Sequence, residues 1–205
     1  MAQPPLNVTK HYVWDPERVD RVNVRRVKQP LVIQEPDPNW PQDFEHIKSL
    51  IEKALGPTAL VISHVGSTSI PSLPAKPVID IDLTVPDILD EQSYAPALEA
   101  AGFLFLLREP RFDEHRLFAL DSPHCNLHLF AKGAAEPARH LLFRDWLLAN
   151  QGDRELYAQT KREAAKVTVE KGEDVMAYNA RKEGVIRQIL ERMFAAKGIP
   201  LENND

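Results

Sequence analysis

From Pro30 onward the chain shows two hydrophobic periods. In EPDPNWPQDFEHIKSLIEKALGP (35–57), Trp40, Phe44, Ile47, Ile51 and Leu55 recur at steps of four, three, four and four. That spacing puts them on one helical face. Asn39 is a candidate N-cap with Gln42 at capping-box spacing, and Pro41 is tolerable in a first turn. Gly56 and Pro57 should end the helix. Short apolar runs on either side suit strands. They are LVIQ (31–34), TALVISHV (58–65), expected to be buried, and PVIDIDLTV (77–85). GSTSIPSLPAK (66–76), with Pro71 and Pro74, reads as a loop between the last two.

DEQSYAPALEAAG (90–102) reads as a helix closed by Gly102. FLFLLRE, EHRLFAL and CNLHLF (125–130) are further strands, and DSP (121–123) is a turn signal between the last two. Their close spacing predicts antiparallel pairing. After Gly133 the period becomes helical, in ARHLLFRDWLLANQ, DRELYAQTKREAAKVTVEK and EDVMAYNARKEGVIRQILERMF. Gly152 and Gly172 separate these helices, and Asp153 and Asp174 are candidate N-caps. Ile186, Ile189, Leu190, Met193 and Phe194 make an apolar stripe suited to core packing. The expected architecture is α/β (α+β): a mixed sheet with helices, then a helical C-terminal third.

Residues 1–30 follow neither period: Val19, Val22, Val24 and Val27 fit no face. They read as an N-terminal extension, a surface arm whose arginines either lie on the exterior or cover a site or a partner subunit. A homo-oligomer therefore stays open. KGIPLENND at the other end reads as a tail that frays.

The 205 residues favour one domain, and 43% hydrophobic residues can fill a sizeable core. A net charge of −5 argues against a general nucleic-acid binder. Cys125 is the single cysteine, so no intrachain disulfide forms and a reducing compartment is the natural reading. The N-terminus has no apolar signal region, and no stretch is apolar for long enough to span a membrane. A cytoplasmic protein with no membrane partner is expected.

The candidate chemistry lies in HVGSTSIPSLPAKPVIDIDLTV, residues 64–85. Residues i and i+2 of a strand share a face, so Asp80, Asp82 and Thr84 point one way and Ile79, Ile81, Leu83 and Val85 the other. Two such carboxylates stand roughly 6–7 Å apart at the backbone. They either lie on a solvent face with cationic partners or share a hard divalent cation such as Mg²⁺. Gly66-Ser67 upstream favours the second reading, because glycine lets backbone approach a phosphate and serine adds a donor. A phosphate cradle beside paired carboxylates is what metal-assisted phosphoryl or nucleotidyl transfer requires. The loop is neither a Walker A sequence, a G-x-S-x-G elbow nor an S-x-x-K motif.

The order strand, Gly-Ser, loop, Asp-x-Asp strand resembles the nucleotidyltransferase superfamily. The longer stretch resembles the signature of the GrpB family, as do PDPNWPQDFE, NLHLF, LFRDWL and YNARKEGVI. The likeness spans residues 31–195, with a sheet part over about 31–132, a helical part over about 137–195, and 196–205 as tail. It implies a nucleotidyltransferase-like fold, with a mixed, mostly antiparallel sheet, flanking helices and a helical C-terminal part. It also implies that Gly66 and Ser67, with Thr68 beside them, hold the triphosphate of an NTP co-substrate. Asp80 and Asp82 would be catalytic ligands of Mg²⁺ or Mn²⁺, and a nucleotidyl group would pass to a small-molecule acceptor. Active members of that superfamily carry a third carboxylate on a later strand. Here CNLHLF offers Asn126 and His128 instead. His128 is a candidate base near neutral pH but a poor Mg²⁺ ligand. Three readings therefore stand: nucleotidyl transfer, a non-catalytic nucleotide or phosphate-ligand binding module, and hydrolysis with His128 as base.

Other residues add to the cleft. Lys76, just before the acidic strand, either meets phosphate or pairs with Asp80 or Asp82. Tyr178 and Lys182 stand four apart on one helix face, able to stack a base and grip phosphate or simply to pack together. Tyr157 and Lys161 repeat that spacing one helix earlier. His64 is either a hydrogen-bonded core histidine or a site residue. Arg111 and Arg116 are surface charges or phosphate ligands, and Asp113 or Glu114 could replace the missing carboxylate. His124, Cys125 and His128 lack the spacing of a zinc site.

Overall fold

The first long helix forms where the apolar period predicts it, α1 (Trp40–Leu55), and Trp40, Ile47, Ile51 and Leu55 are buried. The computed structural model describes residues 7–12, 15–25, 27 and 29–201. The Pro-rich opening and the last four residues of the expected tail lie outside them. The Asn39 side chain does not cap α1; Asp37 Oδ1 instead accepts from the Asn39 N–H at 2.8 Å and fixes the turn into the helix. Gly56, at φ 51°, ends it.

The strands are β1 (Asp20–Arg21), β2 (Val61–Val65), β3 (Ile79–Val85), β4 (Leu104–Glu109), β5 (His115–Asp121) and β6 (His124–Ala131). They form one sheet in the order β1-β4-β5-β6-β3-β2. Every neighbouring pair is antiparallel except β3 with β6, so the sheet is mixed and mostly antiparallel. Two expected strands differ. TALVISHV gives the edge strand β2 rather than a buried one, with Val61 53% exposed, because only β3 flanks it. LVIQ makes a single bridge, Gln34 to Ala75, between Pro30 and Pro36. Its apolar residues Leu31 and Ile33 pack on Ala164, Ala165 and Tyr178 instead of joining the sheet.

One face of the sheet carries Ile79, Ile81, Leu83, Leu127 and Leu129, packed in one core with α1 and the short α2 (Ala95–Ala100). Burying each such side chain contributes roughly 1.5–3 kcal/mol. The opposite face meets α3 (Ala135–Ala149), α4 (Gln151–Glu170) and α5 (Val175–Ala196). Asp174 caps α5 as expected, accepting from the N–H groups of Met176 and Ala177 at 3.0 and 3.1 Å. Asp153 does not cap α4, which already begins at Gln151. Its carboxylate accepts from Trp146 Nε1 at 2.7 Å and Arg192 Nη2 at 2.6 Å, tying α3, α4 and α5 together. No helix among the described residues is long and apolar enough to cross a membrane.

Candidate functional site

The cleft between the sheet and the C-terminal helices begins at the turn after β2. Gly66 has φ 67° and ψ −170°, a conformation open to glycine. A Cβ there would fall 2.5 Å from Asp80 Oδ2 and 2.9 Å from Asp80 Cβ. The glycine is therefore what lets the loop backbone lie against the first aspartate. Ser67–Ser69 form a 3-10 turn, whose leading N–H groups have no partner inside it. Thr68 is 3% exposed; its hydroxyl donates to the Val78 carbonyl at 3.1 Å and meets His64 Nε2 at 3.1 Å. Its side chain ties the loop to Val78, the residue before β3. His64 in turn stacks on Phe44 at 4.7 Å, and burial lowers its imidazole to about 4. It is a partly buried, hydrogen-bonded histidine of the edge strand.

Gly66, Ser67, Thr68, Lys76, Asp80, His128, Tyr178 and Lys182 line one cleft of about 310 Å³, joined by Tyr157 and Lys161. On the helix side the ammonium groups of Lys76 and Lys182 lie 5.6 and 4.0 Å from the Tyr178 ring centre, and that of Lys161 lies 4.7 Å from the Tyr157 ring centre. Lys161 also donates to the Pro74 carbonyl. Among the described residues none of the three forms an ion pair with a carboxylate. Burial, with Lys182 and Arg162 nearby, lowers Lys161 to about 6; burial, with Lys76 nearby, lowers Lys182 to about 7. Asp80 opposes the lowering of all three, and basic groups converging on the cleft favour an anion.

The aspartates sit in different surroundings. Asp80 lies opposite Asn126 and Asp82 opposite His128 across the parallel pair. Asp80 is half-buried and accepts from Asn126 Nδ2 at 2.8 Å. Burial alone would raise its carboxyl, but His128, the Asn126 amide and Lys76 hold it below the ordinary range. Asp82 is 2% exposed, and its Oδ2 pairs with His140 Nδ1 at 2.8 Å. His140 Nε2 lies 3.2 Å from Glu136 Oε1, one helical turn away on α3. Burial would lower His140, yet Asp82 and Glu136 outweigh it and hold the imidazolium at about 10. Asp82 Oδ1 is buried with no hydrogen-bond partner.

A second chain of polar groups ends at His128. Glu109 Oε2 lies 2.7 Å from His115 Nδ1, and His115 Nε2 lies 3.0 Å from His128 Nδ1. Burial, opposed by the Glu109 hydrogen bond, lowers His115 to about 4, so the ring is neutral. A carboxylate only accepts, so His115 donates from Nδ1 and accepts at Nε2 from His128. This assigns the tautomers and turns His128 Nε2 toward Asp80 Oδ1, 3.9 Å away.

The arm also reaches the site. Val22 and Asn23 donate backbone N–H groups to Leu106, and Arg25 enters beside β6. Its Nη2 donates to the Cys125 carbonyl at 3.1 Å and to Asn126 Oδ1 at 2.5 Å. Neither Asp113 nor Glu114 supplies the missing carboxylate. Asp113 accepts from the Ala135 N–H, and Glu114 pairs with Arg116, which also binds Glu91. His140 and Arg25 are the residues that the sequence reading passed over or left undecided. For His140 the available signal was the Glu136/His140 pair at helical spacing.

Among the described residues no group of three or more His, Cys, Asp or Glu gathers to hold a metal. Of the two aspartates, Asp80 lines the cleft and suits a cation of the Mg²⁺ type, which takes one or two carboxylates and completes its shell with phosphate oxygens and water; Asp82 does not line it, and its Oδ2 is held by His140.

The family model for GrpB protein matches residues 30–192. The chain is 41% identical to the UPF0157 protein BH1888 of Halalkalibacterium halodurans, over 87% of this chain and 92% of that protein. It is 37% identical to the UPF0157 protein SCO7215 of Streptomyces coelicolor, over 78% and 83%. The crystal structure of the conserved protein GrpB from Enterococcus faecalis shares the fold at a TM-score of 0.68 and 24% identity, covering 80% of this chain and 99% of that one. By sequence over most of its length, the chain belongs to the GrpB family.

Proposed function

We propose that the chain binds a nucleoside triphosphate with Mg²⁺ or Mn²⁺ and transfers the nucleotidyl group to a small-molecule acceptor. The observation that carries this reading is the cleft itself, with Asp80 against the Gly66 turn and Lys76, Lys161 and Lys182 converging on the same space. In this reading the Gly66–Ser67 backbone and Lys76, Lys161 and Lys182 hold the phosphates, and Tyr178 flanks them. Asp80 and Asp82 would hold the cation, which when bound neutralises charge on the phosphate oxygens. An acceptor hydroxyl attacks the α-phosphorus, the bond to the β-phosphate bridging oxygen breaks, and pyrophosphate leaves. The hydroxyl proton passes to His128 Nε2, the nitrogen not engaged by His115.

Titration calorimetry of ATP, GTP, CTP and UTP with Mg²⁺ tests the reading. At least one should bind, and Asp80→Asn and Asp82→Asn should weaken it at least tenfold. Absence of binding by the native chain, or indifference to both substitutions, would sink it.

A non-catalytic binding module is the second reading. It is favoured by Asn126 in place of a carboxylate, with its oxygen taken by Arg25. It predicts binding without turnover. A nucleotidylated product that disappears in Asp80→Asn would refute it.

A further inference from the structure

A second, larger cavity of about 770 Å³ adjoins the polar cleft. Gly66, Ser67, His140, Tyr157, Asn179 and Lys182 line both, so the two share a wall. The remainder is largely apolar, with Ile70, Phe112, Phe143, Leu147, Ile186 and Leu190 around it. His11 and Tyr12 of the arm close one side, and Tyr12 stacks on Phe112 at 4.4 Å. The volume is that of a site for a small organic molecule.

The charges of this cavity differ from those of the cleft. Arg139 pairs with Glu136, Arg187 Nε lies 3.0 Å from Glu183 Oε1, and Arg144 Nη2 lies 2.9 Å from Asp145 Oδ1. Burial, with Arg187 and Arg139 nearby, lowers His11. His140 is matched by Asp82 and Glu136. Only Lys182, on the shared wall, lacks a carboxylate partner there. An ionic ligand body would exchange hydration for a wall whose charges already have partners, whereas a neutral apolar body loses nothing comparable.

From this we infer that the cavity binds a neutral, predominantly apolar molecule, and that this molecule is the acceptor, with its hydroxyl directed at the shared wall. The acceptor role rests on the nucleotidyl-transfer reading; binding of a neutral ligand does not. Ala177 and Ala180 of α5 line the cavity but not the cleft, so enlarging them fills one space and spares the other.

The test uses the full chain and two fluorescent probes, neutral N-phenyl-1-naphthylamine and anionic 8-anilinonaphthalene-1-sulfonate. The neutral probe should saturate one site at least tenfold more tightly than the sulfonate. Ala177→Trp and Ala180→Trp should each weaken it at least tenfold. A sulfonate that binds as tightly as the neutral probe to the native chain overturns the inference, whatever the variants do. So does undiminished binding in both tryptophan variants. ATP with Mg²⁺ should bind together with the probe, and strict competition overturns the acceptor assignment. If the native chain binds the probe but no nucleotide, the nucleotidyl-transfer reading and the acceptor role fail, while the neutral site stands.

Discussion

Arg25 and Asn126 are joined across the site: Arg25 Nη2 donates to Asn126 Oδ1 at 2.5 Å, and the amide's Nδ2 then faces Asp80 Oδ1 at 2.8 Å. The arm thereby decides which end of the amide Asp80 meets. The position opposite Asp80 presents a donor, and its one oxygen is occupied.

Removing that guanidinium should release the amide and take a positive charge from the surroundings of Asp80. Arg25→Ala is expected to tighten Mn²⁺ binding roughly three- to tenfold, on the order of 1 kcal/mol of lost repulsion. Titration of free Mn²⁺ by electron paramagnetic resonance reads this directly, and weaker binding in the variant contradicts it.

Gly66→Ala should be among the costliest single substitutions in the loop. Its φ of 67° strains an L residue, and the added Cβ falls 2.5 Å from Asp80 Oδ2. A loss of about 1–3 kcal/mol from strain is expected in urea unfolding. Nucleotide binding should fall even where the variant folds, because Asp80 must move.

Asp82 and His140 should be energetically coupled. Their pair is separated by 2.8 Å and one partner is buried. A double-mutant cycle with Asp82→Asn and His140→Gln should return a coupling of roughly 1–3 kcal/mol. Additive effects would show that the pair contributes nothing to folding.

Lys161 gives a signed pH dependence. Burial lowers it from 10.5 to about 6, so the folded chain releases its proton sooner than the unfolded chain. The cost of the buried charge is full below about pH 6. Between that value and 10.5 the unfolded state binds more protons, and stability rises with pH. Lys161→Met should therefore gain most in melting temperature, relative to the native chain, at pH 6 or below. The advantage should shrink steadily toward pH 10, and a gap that does not vary with pH would exclude a depressed lysine.

Much of the fold was legible because periodicity reports burial. The stripe of α1, the alternation in β3 and the hairpin turn at DSP each appear at the expected residues. LVIQ and Asp153 went astray for the same reason: apolar runs and cap residues describe local preference, and a distant partner overrode it. Gly66, Lys76, Asp80 and Lys182 were legible as cleft residues through local motif and spacing, and they do share one cleft. Thr68 lines the same cleft, with its hydroxyl bonded to the Val78 carbonyl.

By itself, the sequence determined the alternation that puts Asp80 and Asp82 on one face, the glycine that allows a close approach, and the family. Only the tertiary structure decided which charges meet. Arg25 reaches Asn126 across 101 residues of chain, and His140 reaches Asp82 across 58. Those pairings depend on where the arm and α3 pack against the sheet, which no local period records. The difference between an open carboxylate pair and one aspartate bound by a histidine beside another screened by an asparagine is set by that packing.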